Sequence, residues 1–237
     1  MKKTLLSALL LSSFSSAMAS EHGKLLFEDD FNRNESQEFK EEIGNGWASN
    51  SEGRAGGNKQ VDLRDGTMHI YMHATADHAV SVTHPMGFKD GAVEVRFMLE
   101  NEKDMLGLNF ADLTFKEVHA GHLFKVEISR NKASITDLKT GVMANEIYAR
   151  RKAGNSTPED QEILKTKRKY NPIDLKTGKW YSLLVTVKGN VATASIDGKE
   201  VVSFSSEGIA HDKKETLRLS VPREVVVDDL KIYSSDK

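Results

Sequence analysis

The amino-acid sequence predicts an all-β fold: a sandwich of two antiparallel sheets with one short helical insert. Apolar and polar residues alternate in one short run after another along most of the chain, which is typical of strands with one buried face. Asp-Gly pairs, which suit tight hairpin turns, occur at 65–66, 90–91 and 197–198. The runs number about a dozen and are evenly spaced, which favours a sandwich or jelly roll over a barrel or a βαβ fold.

The clearest run covers residues 180–204 and predicts a three-stranded antiparallel meander. Its first strand places Tyr181, Leu183 and Val185 on one face, with more polar neighbours between them. A Lys-Gly-Asn turn and then the Asp-Gly turn at 197–198 separate the strands that follow. This stretch is strong evidence for the fold class, but it contains few groups that perform chemistry.

Three earlier runs repeat the pattern, at 91–99, 105–113 and 122–130. Each has large apolar residues at every second position and polar or small residues between them. Each therefore predicts a strand with one buried side and one side facing solvent.

The helical insert is predicted at about residues 155–169, between two strands. Thr157 is a suitable N-cap and Pro158 occupies the first helical position, with acidic residues in the first turn and basic residues in the last. The preceding residues, 135–147, predict a hairpin around the turn Asp-Leu-Lys-Thr-Gly.

Composition narrows the class of protein. Charged residues make up 29% of the 237 residues and hydrophobic ones 38%, as in ordinary globular proteins. A formal net charge of −2 predicts no polycationic surface for nucleic acid. The chain contains no cysteine, so thiol nucleophiles and thiolate metal sites are excluded, and any metal would need oxygen or histidine ligands.

The first 19 residues are typical of a signal peptide. Two lysines precede an apolar run at 5–14, and the pattern Ala-Met-Ala at 17–19 suits signal peptidase. The apolar run is about half of the roughly 20 residues that a membrane span needs. We expect cleavage after Ala19 and export to the periplasm or beyond, which leaves residues 20–237 as a single sandwich domain.

Several stretches resemble the concanavalin A-like lectin/glucanase superfamily. They are FEDDF at 27–31, FKDGAVEVRF at 88–97, GKWYSLLVTVKGN at 178–190, ASIDGKEVVSF at 194–204 and VVVDDLKIY at 225–233. Within the superfamily, the chain most resembles the secreted family of 3-keto-disaccharide hydrolases. The resemblance implies a jelly roll that binds or cleaves glycans on a concave, outward-facing sheet. The motif Glu-x-Asp-x-x-Glu of family 16 glycoside hydrolases is absent, which argues against a retaining mechanism of that type.

The predicted ligand groove consists of polar residues that alternate with apolar ones on the three earlier runs. These residues are Glu94, Arg96, Asn109, Lys125 and Glu127. If they share one sheet face, Glu94 and Glu127 are candidate catalytic carboxylates, and the other three would bind sugar hydroxyls or carboxylates. The alternative is a solvated sheet face with cross-strand ion pairs.

Two further residues are candidates for binding the sugar. His122 borders the proposed groove, and a histidine also acts as acid or base near neutral pH. Trp180 stands at a strand start after a turn, where its ring would stack on a sugar. For the chain's histidines in general, a surface or hydrogen-bonded structural role is the alternative.

The superfamily resemblance also implies a structural calcium ion that ties the N-terminal strand to the C-terminal one. Asp30 and Asp229 are the matching acids, and carboxylate oxygens are ligands that calcium prefers. The alternative is that Asp228 and Asp229 merely end a strand.

Basic residues form a rim in the insert that would attract an anionic polysaccharide. They are Arg150, Arg151, Lys152, Lys165, Lys167, Arg168 and Lys169. Acidic residues interleave with them, so a solvated helix is the alternative. Two hypotheses about function follow from the sequence. The chain is an exported protein that binds and cleaves a glycoside, or it is a non-catalytic glycan-binding or envelope interaction module.

Overall fold

The computed structural model describes residues 22–236, which form two packed antiparallel sheets. The predicted signal peptide, residues 1–19, lies outside the described residues. The strands are β1 Lys24–Asp29, β2 Ala48–Ser49, β3 Val61–Arg64, β4 Thr67–Tyr71, β5 Val80–Phe88, β6 Gly91–Met98, β7 Met105–Ala111, β8 His122–Ser129, β9 Lys132–Asp137, β10 Arg168–Pro172, β11 Trp180–Lys188, β12 Val191–Ile196, β13 Lys199–Ser205, β14 Lys214–Val221 and β15 Glu224–Ser234. The α-helices are α1 Ser51–Arg54, α2 Asn145–Lys152 and α3 Pro158–Thr166.

The strand order confirms the predicted jelly-roll sandwich. The first sheet has the order β13-β12-β11-β6-β15-β4-β3, and β1 also pairs with β15. The second sheet has the order β10-β9-β8-β7-β14-β5-β2. The chain passes from the second sheet to the first between β5 and β6, and returns to the second at β7. At these two crossings, strands that are consecutive in sequence lie in different sheets.

Apolar side chains from both sheets fill the space between them. Phe97 of β6 belongs to the first sheet, and Phe110 of β7 and Phe124 of β8 belong to the second; all three are fully buried. The rings of Phe110 and Phe124 stack with their centroids 4.4 Å apart. Burying each such side chain stabilises the fold by about 1.5–3 kcal/mol, which drives the polar positions of the same strands outward.

Two of the three Asp-Gly pairs form the predicted hairpin turns. Asp65 and Gly66 have φ angles of 54° and 71°, which is the left-handed region that a type I′ turn requires. The turn at 197–198 has the same form. The pair at 90–91 instead connects β5 to β6 across the two sheets. A side chain at Gly91 would collide with the carbonyl oxygen of Tyr233, so glycine is needed there for close packing.

The predicted helix is present as α3. The Thr157 hydroxyl accepts a hydrogen bond from the Asp160 N–H at 3.1 Å, and the Asp160 carboxylate accepts from the Thr157 N–H at 3.2 Å. This reciprocal pair is a capping box, which satisfies two N–H groups at the start of the helix. Among the helices within residues 22–236, none has the length and apolar character that a bilayer span requires.

The predicted hairpin at 135–147 is wrong in its second half. β9 ends at Asp137, a tight turn follows at Leu138–Val142, and the chain then enters α2. The buried carboxylate of Asp137 accepts hydrogen bonds from the Thr140 N–H at 3.0 Å and the Gly208 N–H at 2.9 Å. These bonds fix the turn, and β9 pairs with β10 instead. Residues 138–167 are thus an excursion between two neighbouring strands, which we call the insert.

Candidate functional site

The structure divides the predicted groove between the two sheets. Glu94 and Arg96 lie on β6 of the first sheet, whereas Asn109, Lys125 and Glu127 lie on β7 and β8 of the second. All five face outward, so the prediction of one shared groove is wrong. Packed sheets lie about 10 Å apart, and a glycosidic bond needs its two carboxylates within roughly 5–10 Å. Glu94 and Glu127, on the outer sides of opposite sheets, do not flank one bond.

Five residues on the outward side of the second sheet form a cluster that we call the central polar face. They are Asn109, His122, Lys125, Glu127 and Arg218. Arg218 of β14, Asn109 of β7 and Lys125 of β8 are direct cross-strand neighbours, so they form one row on the same side. Glu127 lies one row further along β8. His122 lies on β8 beyond this row, in the direction opposite to Glu127, at a β-bulge. A β-bulge often redirects side chains at functional sites.

His122 is the best-connected member of the central polar face. Its Nδ1 lies 2.9 Å from the Asn109 amide nitrogen and 3.1 Å from Nη1 of Arg218. The same guanidinium donates to the Ala120 carbonyl oxygen at 2.8 Å. Burial, and then the positive charge of Arg218, lower the pKa of His122 to about 3. Because a guanidinium only donates, it favours a neutral imidazole that accepts.

Glu127 supplies the negative charge of the central polar face. Lys125 Nζ donates to its Oε1 at 2.6 Å, and its side chain is 13% exposed. Glu127 is the one carboxylate among the five residues of the central polar face. Gly107 lies opposite Glu127 and has no side chain to cover it. The face therefore combines one potential base, two cations and a neutral imidazole.

Arg96 and Trp180, both predicted to bind sugar, contact each other on the first sheet. The guanidinium carbon of Arg96 lies 4.9 Å from the centroid of the Trp180 ring, a distance suited to a cation–π contact. Nη1 of Arg96 also donates to the carboxylate of Asp228 at 2.9 Å and to that of Asp229 at 3.1 Å. The pair does not join the central polar face, because β6 and β11 belong to the other sheet.

The predicted calcium ligands, Asp30 and Asp229, line the same cavity of about 430 Å³. Arg33 and Lys231 line it as well, and their positive charges oppose a cation there. Within residues 22–236, no group of three or more His, Asp or Glu side chains is arranged to hold a metal ion. A calcium ion would need backbone carbonyls and water to complete its six to eight oxygen ligands. Calcium binding stays a prediction.

Sequence reasoning did not identify Arg218, although the signal was present. Arg218 stands between Leu217 and Leu219, which are both fully buried. The alternation of apolar and polar residues that identified Lys125 and Glu127 also predicts that Arg218 faces outward from β14. The contact between Arg218 and His122 joins residues that are far apart in sequence, and only the strand order shows it.

A two-sheet jelly roll of this kind is the concanavalin A-like fold. A laminarinase from Rhodothermus marinus has this fold, with a TM-score of 0.61 and 10% identity over 91% of this chain and 99% of that one. The carbohydrate binding module CBM66 from Bacillus subtilis aligns with a TM-score of 0.52 and 8% identity, over 78% of this chain and 93% of that one.

A GlcNAcα1-4Gal releasing endo-β-galactosidase from Clostridium perfringens aligns with a TM-score of 0.57 and 10% identity, over 88% of this chain. This chain spans 62% of that protein. Identities this low show a shared fold and leave function open.

The family follows from the sequence itself. Residues 35–232 match the 3-keto-alpha-glucoside-1,2-lyase-like domain, and the chain belongs to this family. No curated protein sequence matches the chain. Family and fold together confirm the resemblance found in the sequence.

Proposed function

We propose that this chain is an exported carbohydrate-active protein that binds a 3-keto-glucoside on the central polar face and cleaves it by elimination. The observation that carries the proposal is the charge pattern of that face: Glu127 is its one carboxylate within the described chain, among two cations and a neutral imidazole. The family description, which contains the words 3-keto-alpha-glucoside and lyase, supports this substrate class.

Elimination from a 3-keto sugar needs one base. The keto group at C3 acidifies the hydrogen on C2, and its removal leaves an enolate with negative charge on the C3 oxygen. The enolate then expels the oxygen on C1: the C1–O bond breaks, the C1=C2 bond forms, and the departing oxygen takes a proton from water. Hydrolysis by paired carboxylates needs two acids beside the same bond. The charge pattern of the central polar face favours elimination.

Each residue of the face has a part in this proposal. Glu127 removes the C2 hydrogen as general base. Lys125 and Arg218 lie in one cross-strand row and stabilise the charge that develops on the C3 oxygen. His122, neutral at physiological pH, and Asn109 hydrogen-bond to sugar hydroxyls. The second sheet positions all five groups before the sugar arrives.

The second candidate is a non-catalytic glycan-binding module, and one contact favours it. Lys125 Nζ already occupies Glu127 Oε1 at 2.6 Å. If this ion pair persists with sugar bound, Glu127 acts as a hydrogen-bond acceptor for a hydroxyl and abstracts no proton.

The experiment compares 4-nitrophenyl α-glucoside with its 3-keto derivative. We expect nitrophenol release from the 3-keto compound alone, with an unsaturated 3-keto sugar identified by mass spectrometry. Deuterium at C2 is expected to slow the release, because the C2 hydrogen is transferred in the reaction. Equal rates with both isotopes and incorporation of ¹⁸O at C1 would instead indicate hydrolysis. Binding without turnover would leave the second candidate.

Export is supported by the N-terminal sequence pattern. After expression with its first 19 residues in a bacterial host, the protein recovered from the periplasm or medium is expected to begin at Ser20. Retention of the complete N-terminus in the cytoplasm would contradict export.

A further inference from the structure

The insert and the edge strand β10 extend the central polar face on one side. We propose that Lys167, Arg168 and Tyr170 form a subsite for an acidic sugar residue, one that carries a carboxylate or a sulfate group. The location of this subsite rests on the proposed function, since it adjoins the same face. The subsite would give the protein a preference for acidic oligosaccharides and would give the insert a role.

The strand register places the subsite next to the central polar face. Arg168 of β10 lies opposite Thr136 of β9, which lies opposite Lys125 of β8. In the next row, Tyr170 lies opposite Ser134, and Ser134 opposite Glu127. Directly paired residues in an antiparallel sheet share one side. Arg168 and Tyr170 therefore continue the two rows that carry Lys125 and Glu127.

A cavity of about 240 Å³ lies between the insert and this part of the sheet. Its lining includes the central polar face, the insert and β10: Lys125, Glu127, Thr136, Leu164, Lys167 and Arg168. Pockets for drug-sized ligands measure about 300–1,000 Å³, so this one suits a single sugar ring of a longer chain. A substrate bound at Glu127 would reach the cavity without leaving the sheet surface.

In the described chain, Lys167 and Arg168 have no acidic partner, in contrast to Arg150 and Lys165. Arg150 contacts Asp160 at 2.5 Å, and Lys165 contacts Glu162 at the same distance. Within residues 22–236, no ion pair involves Lys167 or Arg168. Two unpaired cations that line a cavity attract an anionic group, and a guanidinium matches a carboxylate or sulfate with two parallel hydrogen bonds.

A further feature of the same rows suits a sugar. Tyr170 is 63% exposed on the edge strand. An exposed aromatic ring packs against the apolar face of a sugar while its hydroxyl remains available for hydrogen bonding.

The test measures binding of three tetrasaccharides by calorimetry at low salt: a hyaluronan fragment with carboxylates, a carrageenan fragment with sulfates, and neutral cellotetraose. At least one acidic fragment is expected to bind about tenfold more tightly than cellotetraose, and added salt should weaken that preference. The carboxylate and sulfate arms identify which anion the subsite takes. If all three bind equally, or none binds, the proposal is overturned.

Substitutions test whether Lys167, Arg168 and Tyr170 form the subsite that binds the acidic fragment. The double substitution Lys167→Gln/Arg168→Gln is expected to remove the preference for the acidic fragment. Its matched control, Arg151→Gln/Lys165→Gln, removes the same charge from the insert outside the cavity and should retain the preference. Tyr170→Ala should weaken binding of neutral and acidic fragments alike, whereas Phe39→Ala, at an aromatic residue 78% exposed on a distant loop, should not.

Retention of the preference by the Lys167/Arg168 variant, with its thermal unfolding unchanged, would overturn the proposal. Binding is measured without turnover, so this outcome is independent of whether the chain cleaves 3-keto-glucosides.

Discussion

The outward faces of the two sheets share the same alternation of apolar and polar residues, yet they differ in how charges are paired. On the first sheet, Arg96 donates to Asp228 at 2.9 Å, and opposite charges neutralise each other. On the second sheet, Arg218 contacts a neutral His122 at 3.1 Å and a backbone carbonyl, and Glu127 is the one carboxylate of the central polar face. The first face is a solvated surface with ion pairs; the second has donors in excess.

This difference shows that pairing, and not polarity, separates a candidate site from an ordinary surface. Exposed ion pairs such as those of Arg96 contribute about 0–1 kcal/mol to stability and leave little hydrogen-bonding capacity for a ligand. A guanidinium held by an imidazole and a carbonyl keeps its positive charge available. The proposed chemistry therefore belongs on the second sheet, and four experiments test that assignment.

The largest effect is expected from matched substitutions of the two candidate carboxylates. Glu127→Gln removes the proposed base and should lower kcat/KM for the 3-keto-glucoside by about 10²–10⁴-fold. Glu94→Gln removes a carboxylate of the same type from the opposite face and should leave kcat/KM nearly unchanged. A larger loss from Glu94→Gln than from Glu127→Gln would reverse the comparison between the faces.

Substitution of Arg218 is expected to cause a smaller loss of activity, and substitution of Arg96 almost none. Arg218→Gln keeps hydrogen-bond donors but removes the charge that stabilises the enolate, so kcat should fall by about 10²-fold. Arg96→Gln breaks an ion pair on the first face and should alter kcat by less than about twofold. Steady-state kinetics at fixed pH measures both. Equal losses would indicate that neither face is specific to the reaction.

The third prediction concerns stability against pH. The pKa of His122 is lowered to about 3 in the folded chain, while the unfolded chain keeps a value near 6.5. Between these values only the unfolded state binds the proton, so stability rises with pH across this window and is lost as pH falls. From pH 7 to pH 5, the free energy of unfolding should decrease by about 1–2 kcal/mol from this group.

Denaturant unfolding of the wild type and of His122→Asn at both pH values isolates this contribution. The variant lacks the titrating ring, so its stability should fall by less over the same interval. An NMR titration that places the pKa of His122 near 6.5 in the folded protein would contradict the prediction.

The smallest effect is expected for calcium at the first face. If Asp30 and Asp229 hold an ion, millimolar calcium should raise Tm by about 3 °C relative to EDTA, through preferential binding to the folded state. The double substitution Asp30→Asn/Asp229→Asn should remove that difference. If calcium does not change the Tm of the wild type, the two acids hold no calcium ion and only contact neighbouring residues.

Predictions from the sequence are correct where the interactions are local in the chain, and wrong where the outcome depends on distant residues. The meander at 180–204, the hairpin turn at 65–66 and the N-cap Thr157 of α3 depend on residues a few positions apart, and the structure confirms all three. The hairpin at 135–147 failed because its outcome depends on a distant partner. Asp137 is held by Ser206 and Gly208, which no local pattern reveals.

The fold class, the family and the core-facing side of the predicted strands follow from the amino-acid sequence. A period of two residues decides which side chains are buried, because apolar groups leave water wherever the strand lies. The sheet that each strand joins depends instead on tertiary packing. That choice separated Glu94 and Arg96 from Glu127 and brought Arg218 to His122, since the crossing between β6 and β7 depends on long-range packing. The candidate site is therefore a product of strand order, assembled from residues that the sequence pattern had marked only as polar.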